Sequence, residues 1–183
     1  MSKVAIFIAE GLEEIEGLTV VDLLRRAGIT IDTVSISGSL KITGSHQICF
    51  EADYLFEAYD FDTVDMLVLP GGMPGTKYLL AHSGVNQKIK EFYVSGKALA
   101  AVCAAPSVLG QAGILDGKRA TCYPGYEDKL LGADICYEEV VTDKTVITSR
   151  GLGTAIPFSL SIITYLCGKE MAEKIRDSIQ YNH

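Results

Sequence analysis

Short, largely apolar runs alternate along this chain with longer segments of helical periodicity. Residues 3–9, 64–69 and 98–102 are rich in Val, Ile, Leu and Ala, a composition typical of strands that are buried on both faces of a parallel sheet. Strands that alternate with helices form a doubly wound α/β sandwich, in which helices cover both faces of a mostly parallel sheet. Ligands of such folds bind beyond the carboxyl ends of the strands, so functional residues are expected directly after the apolar runs.

The rest of the chain extends this pattern. Helices are predicted at 13–27, 52–59, from the turn at 70–75 through about residue 94, from residue 106, at 154–166 and at 170–179, with a weaker helical turn at 127–131. Further strands are predicted at 29–36, 119–123, 135–142 and 145–149, and a small hairpin at 38–50. The length of 183 residues and the hydrophobic content of 48% favour a single domain over residues 1–183.

Composition excludes several classes of protein. The net charge is −7 and no run of basic residues exceeds the pair Arg25 and Arg26, which argues against nucleic acid or an anionic membrane as a partner. The first apolar run is too short for a signal peptide, and no later run approaches a membrane span, so a cytoplasmic protein is expected. Five cysteines without a C-x-x-C pair predict free thiols rather than a disulfide framework or a zinc site.

Cys103 lies at a junction between a strand and a helix. The apolar run that ends at Val102 precedes it, and Pro106 begins a helical pattern. Ala101 and Ala105 flank it at the spacing that serine hydrolases fill with glycine, because a sharp strand-to-helix turn leaves no room for larger side chains. Such a turn exposes a nucleophile at a helix N-terminus, which favours the thiolate. The alternative is a buried cysteine that acts as a small hydrophobic residue.

Glu16 is the second candidate. It shares one helical face with Val20, Leu23, Leu24 and Ala27, so its carboxyl is expected to face the sheet, near the end of the first strand. Burial would raise its pKa and let it donate a hydrogen bond to a neighbouring thiolate. The alternative is a solvated glutamate in the first turn, the role that we assign to the preceding glutamates, Glu13 and Glu14.

Two glycine-containing loops follow predicted strands. Gly71 and Gly72 follow Pro70 directly after a buried strand and offer backbone N–H groups for an oxyanion hole, although a tight turn alone also explains them. The segment Gly151-Leu152-Gly153-Thr154 gives weaker evidence, because Thr154 as a helix N-cap explains it equally well. Arg150 is assigned either to an anionic ligand or to a surface salt bridge.

A conventional cysteine hydrolase also needs a base, usually histidine. His183 is the last residue, His46 lies in the predicted hairpin, and His82 follows a helical turn that we place away from the strand ends. Each is interpreted as a surface histidine, so no Cys–His dyad is predicted. Constellations typical of a Ser/His/Asp triad, a phosphate loop or a metal site are absent from the sequence, and no metal is predicted.

Together these residues resemble the DJ-one/ThiJ/PfpI superfamily, and within it the branch of the parkinsonism-associated deglycase and bacterial ThiJ-type proteins. The resemblance covers nearly the whole chain. It is carried by residues 9–16, 25–28, 68–72, 100–106 and 148–154. It implies a flavodoxin-like sandwich that forms a homodimer, with Cys103 as the nucleophile and Glu16 as its protonated partner. It also implies that the backbone N–H groups of Gly72 and Ala104 surround the reacting oxygen.

One position departs from the pattern of the superfamily. Peptidase-like members carry a histidine before a proline in the segment where this chain has Tyr123 and Pro124, which argues against a Cys–His mechanism. Gly71, Tyr123 and Arg150 are retained as candidate substrate-site residues. The resemblance implies a cofactor-free enzyme for reactive dicarbonyls, of the glutathione-independent glyoxalase or protein deglycase type. A thiohemiacetal needs a thiolate near neutral pH, so alkylation of Cys103 is expected to show an apparent pKa well below the roughly 8.5 of free cysteine.

Two alternatives remain open. A redox sensor or stress chaperone would use oxidation of the same cysteine to sulfinic acid. An intracellular cysteine peptidase is the weaker alternative, because it needs a histidine base near Cys103.

Overall fold

A computed structural model describes residues 2–181, and the predicted surface position of His183 lies outside that range. The strands are β1 (Lys3–Ile8), β2 (Thr30–Ser35), β3 (Lys41–Thr43), β4 (Cys49–Glu51), β5 (Tyr54–Leu55), β6 (Met66–Leu69), β7 (Ala98–Val102), β8 (Arg119–Ala120), β9 (Asp134–Ile135), β10 (Val140–Asp143) and β11 (Val146–Ser149). The helices are α1 (Glu14–Arg26), α2 (Gly75–Ala81), α3 (Ser83–Val94), α4 (Pro106–Gln111), α5 (Ala155–Cys167) and α6 (Lys169–Ser178). None of the helices within the described range is long and apolar enough to cross a membrane.

Seven strands form the central sheet in the order β10-β11-β7-β6-β1-β2-β5. All neighbouring pairs are parallel except β10 with β11. The helices divide between the two faces: α1, α5 and α6 contribute to one hydrophobic cluster, and α2, α3 and α4 contribute to the other. The predicted doubly wound, flavodoxin-like α/β fold with a mostly parallel sheet is therefore confirmed.

The sheet interior explains why the apolar runs were readable from the sequence. All five residues of β7 are buried, and in β1 every residue after Lys3 is buried. Successive side chains of a strand point to opposite faces, so Ile6 and Ile8 enter one cluster while Phe7 enters the other. A strand covered on both sides needs apolar residues at every position.

Four predicted elements differ from the structure. The strand predicted at 135–142 is divided into β9, which pairs with β8 outside the central sheet, and β10, which pairs with β11 at the edge of that sheet. The segment 52–59 holds the short strand β5, paired with β2, and a 3-10 turn at Phe56–Ala58 instead of a helix. The helix predicted through residue 94 is interrupted at His82, which ends α2 and caps α3 by accepting the N–H of Val85 at 3.1 Å. The strand predicted at 119–123 is reduced to β8, because the chain then turns toward Cys103 and Tyr123 donates to its carbonyl at 2.8 Å.

The hairpin predicted at 38–50 is present as β3 paired with β4. It packs over the start of α1, where the Glu14 carboxylate accepts the backbone N–H groups of His46 at 2.8 Å and Ile48 at 3.4 Å. Glu14 is 2% exposed, so the prediction of a solvated glutamate at this position is wrong. The hairpin covers it, which no local pattern in α1 reveals.

Candidate active site

Cys103 occupies the sharp turn between β7 and α4. Its φ angle is +65°, a left-handed conformation that costs roughly 1–2 kcal/mol for a residue with a side chain. Two backbone hydrogen bonds hold it there: its N–H donates to Ser149 at 3.0 Å, and its carbonyl accepts from Tyr123 at 2.8 Å. Ala101 and Ala105 on either side are fully buried, in agreement with the small residues expected around such a turn.

Glu16 lies beside Cys103 in the first turn of α1. It is 1% exposed, and Val20, Leu23 and Leu24 are buried on the same helical face, as the spacing predicts. One carboxyl oxygen accepts the N–H of Gly71 at 3.0 Å, and the carboxyl shares a hydrogen bond with the Cys103 thiol. Burial raises the pKa of Glu16 to about 7, because the charged form loses its hydration.

The Cys103 sulfur also receives backbone N–H groups from Gly72 and Ala104. These donors favour a thiolate, but burial and the neighbouring Glu16 carboxylate together raise the pKa of the thiol to about 12. The expectation of a low apparent pKa rested on the helix N-terminus and on the thiolate that the chemistry needs, and it took neither burial nor the Glu16 carboxylate into account. The two groups therefore titrate as a pair. Above pH 7 the pair retains one proton, and the nucleophilic form is the one in which Glu16 holds that proton.

The loop at 70–72 brings glycine against both reactive groups. A Cβ atom at Gly71 would lie 2.5 Å from Cys103 Cβ and 2.6 Å from a Glu16 carboxyl oxygen, so a larger residue cannot be placed without moving one of them. Gly72 has a φ angle of +94°, which glycine adopts freely. Glycine is required here by close approach as well as by turn geometry.

A cavity of about 320 Å³ opens in front of the sulfur. It is lined by Glu13, Glu16, Gly72, Met73, Cys103, Ala104, Tyr123, Tyr126 and Leu152. Tyr123 is 50% exposed, and its ring meets that of Tyr126 edge to face. Aromatic rings and carboxyl groups therefore surround a site large enough for a small carbonyl compound.

Comparison with known proteins identifies the group to which this arrangement belongs. The family model described as "DJ-1/PfpI family" matches residues 2–165. The chain belongs to the DJ-1/PfpI family. In a search of solved structures, the protein described as "Toxoplasma gondii DJ-1, oxidized" superposes with a TM-score of 0.96 and 33% identity, and the match covers 100% of both chains.

Curated members of the DJ-1/PfpI family give the same result from sequence. Protein dj-1beta of Drosophila melanogaster is 36% identical, over 96% of this chain and 95% of its own length. Protein DJ-1 homolog B of Arabidopsis thaliana is 35% identical over 94% of this chain, which spans 40% of that protein. A protein of Pyrococcus abyssi named as a deglycase is 33% identical over 81% of this chain and 89% of its own length.

Arg150, which the sequence offers as a candidate substrate-site residue, and two histidines lie outside the lining of the Cys103 cavity in this DJ-1/PfpI chain. Arg150 donates to the carbonyl of Tyr137 at 3.4 Å and places its guanidinium 5.8 Å from the centre of that ring. It does not line the cavity. His46 and His82, the histidines within residues 2–181, also lie outside the cavity lining. His82 nevertheless lines a second cavity with Ala9 and Ile36, directly after β1 and β2, so its placement away from strand ends was wrong.

Sequence reasoning missed Glu13 as a site residue. It precedes Glu16 by one helical turn, a spacing that places both on one face, and this spacing was the available signal. Glu13, Glu14 and His46 bring potential metal-binding atoms within 4.8 Å of one another. Burial opposes ionisation of Glu14, but the backbone N–H groups of the hairpin outweigh it and lower the pKa to about 2. These oxygens thus already serve to hold the hairpin.

Proposed function

We propose that the chain is a cofactor-free enzyme for reactive dicarbonyls, of the glutathione-independent glyoxalase and protein deglycase type. The contact between the Cys103 sulfur and the buried Glu16 carboxyl carries this proposal. It joins a nucleophile to an acid whose pKa of about 7 suits proton transfer in both directions near neutral pH. The name of the Pyrococcus abyssi relative, a deglycase, supports the same class of chemistry.

The first step forms a carbon–sulfur bond. The Cys103 thiolate adds to the aldehyde carbon of methylglyoxal, and the carbonyl electron pair moves to oxygen. The N–H groups of Gly72 and Ala104 stabilise the developing charge. Glu16 then gives its proton to that oxygen, which yields a thiohemiacetal and a carboxylate. With an adduct on an amine, the same bond forms while the carbon–nitrogen bond breaks and the amine leaves with a proton.

The second step is an internal redox rearrangement that needs no external oxidant. The Glu16 carboxylate removes the proton from the sulfur-bearing carbon, and a proton is then delivered to the adjacent carbonyl carbon. The first carbon is oxidised to a thioester while the second is reduced to an alcohol. Water hydrolyses the thioester, which releases lactate and restores the thiolate. The overall change is the addition of one water molecule to methylglyoxal.

Lactate production from methylglyoxal, without glutathione, tests the proposal directly. Wild type should produce lactate, while Cys103→Ser and Glu16→Gln should lose turnover by a factor of about 100 or more, the usual contribution of a nucleophile or general acid–base group. Cys49→Ser removes an exposed thiol and serves as the control. If wild type makes no more lactate than Cys103→Ser, the dicarbonyl proposal fails.

A redox sensor is the second candidate, and one specific observation favours it. The Toxoplasma gondii relative was solved in a form described as oxidized, and Cys103 is accessible enough to react, being only partly buried. Two equivalents of peroxide would add two oxygen atoms to the sulfur, and protonated Glu16 would donate to the sulfinate. Intact mass after peroxide treatment decides this: selective uptake of two oxygens at Cys103, abolished in Glu16→Leu, supports the sensor.

The peptidase alternative has no histidine in the described cavity lining to serve as its base.

We also propose that the chain acts as a homodimer. Ile15 on α1 is 49% exposed and Ile48 on the hairpin is 53% exposed. They belong to adjoining segments, because the Ile48 N–H donates to Glu14, which precedes Ile15 in the chain. A second copy would remove this apolar surface from water. Light scattering should give the mass of two chains for wild type and of one chain for Ile48→Asp, whereas a wild-type monomer contradicts the proposal.

The five free thiols suit a reducing compartment such as the cytoplasm.

A further inference from the structure

The Cys103 cavity is one of three neighbouring cavities that share lining residues. An intermediate cavity of about 240 Å³ shares Met73 with the Cys103 cavity. It shares Glu10 and Tyr78 with a third cavity of about 400 Å³, at the carboxyl ends of β1 and β2. Because neighbouring cavities share these residues, the three lie in succession on the surface, and we call them together the long groove. It extends from Cys103 past Met73 and Tyr78 to His82, so it offers much more room than methylglyoxal needs.

The long groove is acidic. Glu10 and Glu13 line it, and within residues 2–181 neither a lysine nor an arginine lines it. The Glu10 carboxylate accepts the N–H of Thr43 at 3.1 Å, and among residues 2–181 no cationic side chain pairs with it within 4 Å. His82 Nδ1 accepts the Val85 N–H at 3.1 Å, so that atom is already engaged in capping α3.

The walls of the third cavity suit a long cationic side chain. Tyr78 is 49% exposed and presents an aromatic ring, while Ile36, Ala9 and Ala81 provide apolar surface. The methylene groups of lysine or arginine pack on such surfaces while the charged end reaches a carboxylate, and an aromatic ring adds a cation–π contribution. Glu10 also lines the intermediate cavity, so a cation held there lies on the side of the third cavity that faces Cys103.

We propose that the long groove is a peptide subsite that selects a cationic side chain near the modified residue. The substrate would then be a dicarbonyl adduct on a basic peptide segment, with a lysine or arginine held by Glu10 and Tyr78 while the adduct reaches Cys103. This inference rests on the proposed function for its chemistry. It adds specificity residues that lie outside the reacting pair.

Peptide binding tests the subsite without any need for turnover. The probes are two fluorescein-labelled peptides that carry carboxyethyl-lysine, a stable relative of the adduct, flanked in one by arginine and in the other by glutamate. Fluorescence anisotropy should give wild type an affinity about tenfold higher for the arginine peptide, and added salt should reduce this preference. Glu10→Gln retains an acceptor for Thr43 and should weaken binding of the arginine peptide about fivefold, as expected for one partly exposed ion pair. Tyr78→Ala should weaken it as well.

Glu173→Gln is the matched control, because it removes one negative charge from α6, outside the groove lining. Equal affinity of wild type for the two peptides overturns the inference, and so does a loss in Glu173→Gln as large as that in Glu10→Gln, which would indicate net charge alone. Methylglyoxal turnover is measured in parallel. If methylglyoxal is turned over but the two peptides bind equally, the proposed enzyme activity stands and the proposed subsite is refuted. If the peptides are discriminated but methylglyoxal is not turned over, the subsite stands and the dicarbonyl chemistry is refuted.

Discussion

Replacing Glu16 with Gln should abolish activity and, at neutral pH, make the chain more stable. The pKa of Glu16 is raised by burial from 4.5, its value when exposed, to about 7. Ionisation is therefore less favourable in the folded chain than in the unfolded chain. The free-energy cost that ionisation of Glu16 adds to folding is absent below pH 4.5, grows as pH rises and reaches its full value above about pH 7. At about 1.4 kcal/mol for each pKa unit, it amounts to about 3 kcal/mol.

Glutamine fits the same position without a charge. Its carbonyl oxygen can accept the Gly71 N–H as the carboxylate does at 3.0 Å, and its amide can face the Cys103 sulfur. The variant should therefore match wild type near pH 4.5 and exceed it by about 3 kcal/mol near pH 8. For a chain of this size the difference corresponds to roughly 6–12 °C in Tm.

Urea unfolding followed by circular dichroism, at several pH values between 4 and 8, measures the effect as a difference between the two proteins. The pKa of His46 is raised by its hydrogen bond to Glu14, so His46 also makes stability depend on pH. Because both proteins contain His46, its contribution cancels in the difference between them. Glu173→Gln controls for loss of one carboxylate. If the curves for wild type and Glu16→Gln stay parallel across this range, the pKa of Glu16 is the same in the folded and unfolded chains. Glu16 is then ionised at neutral pH and cannot supply the proton that the mechanism requires.

Three further predictions concern the same region. The rate of alkylation of Cys103 should rise with pH through an inflection near pH 7, where the pair of Cys103 and Glu16 loses its first proton. In Glu16→Gln the inflection should lie above the pKa of roughly 8.5 of free cysteine. An inflection at the same pH in both proteins contradicts the pairing. Gly71→Ala should destabilise the fold by about 1–3 kcal/mol and reduce lactate production, while Gly153→Ala, where an added Cβ meets nothing within 4 Å, should change neither. Because the pKa of Glu14 is lowered to about 2, its contribution to stability is present above pH 4.5 and is lost as pH falls toward 2. Urea unfolding between pH 2.5 and 5 should show a smaller loss for Glu14→Gln than for wild type, and an equal loss refutes this role.

The features that the sequence predicted well are those that a short stretch determines. The burial of β1 and β7 is visible in their uniform apolar composition, and Cys103 is marked by the small residues around it. Glu16 is marked by the apolar stripe that follows it on α1. The carboxyl ends of parallel strands then meet at one edge of the sheet, which accounts for the proximity of these residues from local patterns.

What the sequence did not predict depends on contacts between distant segments. Strand β5 exists because Tyr54 pairs with Val34 of β2, and the burial of Glu14 depends on a hairpin about 30 residues further along the chain. The high pKa of the Cys103 thiol follows from burial and from the Glu16 carboxylate. The long groove combines residues after β1, after β2 and on α2, so no single stretch of sequence indicates it.

The central sheet keeps two hydrophobic clusters apart, one around Phe7 and one around Ile6 and Ile8. Side chains on opposite faces do not touch, so the free-energy costs of substitutions in different clusters should add, as they do for independent sites. Cys103 packs against the Ile6 cluster. Apart from Ala101 and Ala105, which belong to the Phe7 cluster but flank the Cys103 turn, the layer around Phe7 is therefore free to diverge through compensating changes of its own during evolution, while the packing beneath the reactive sulfur stays the same.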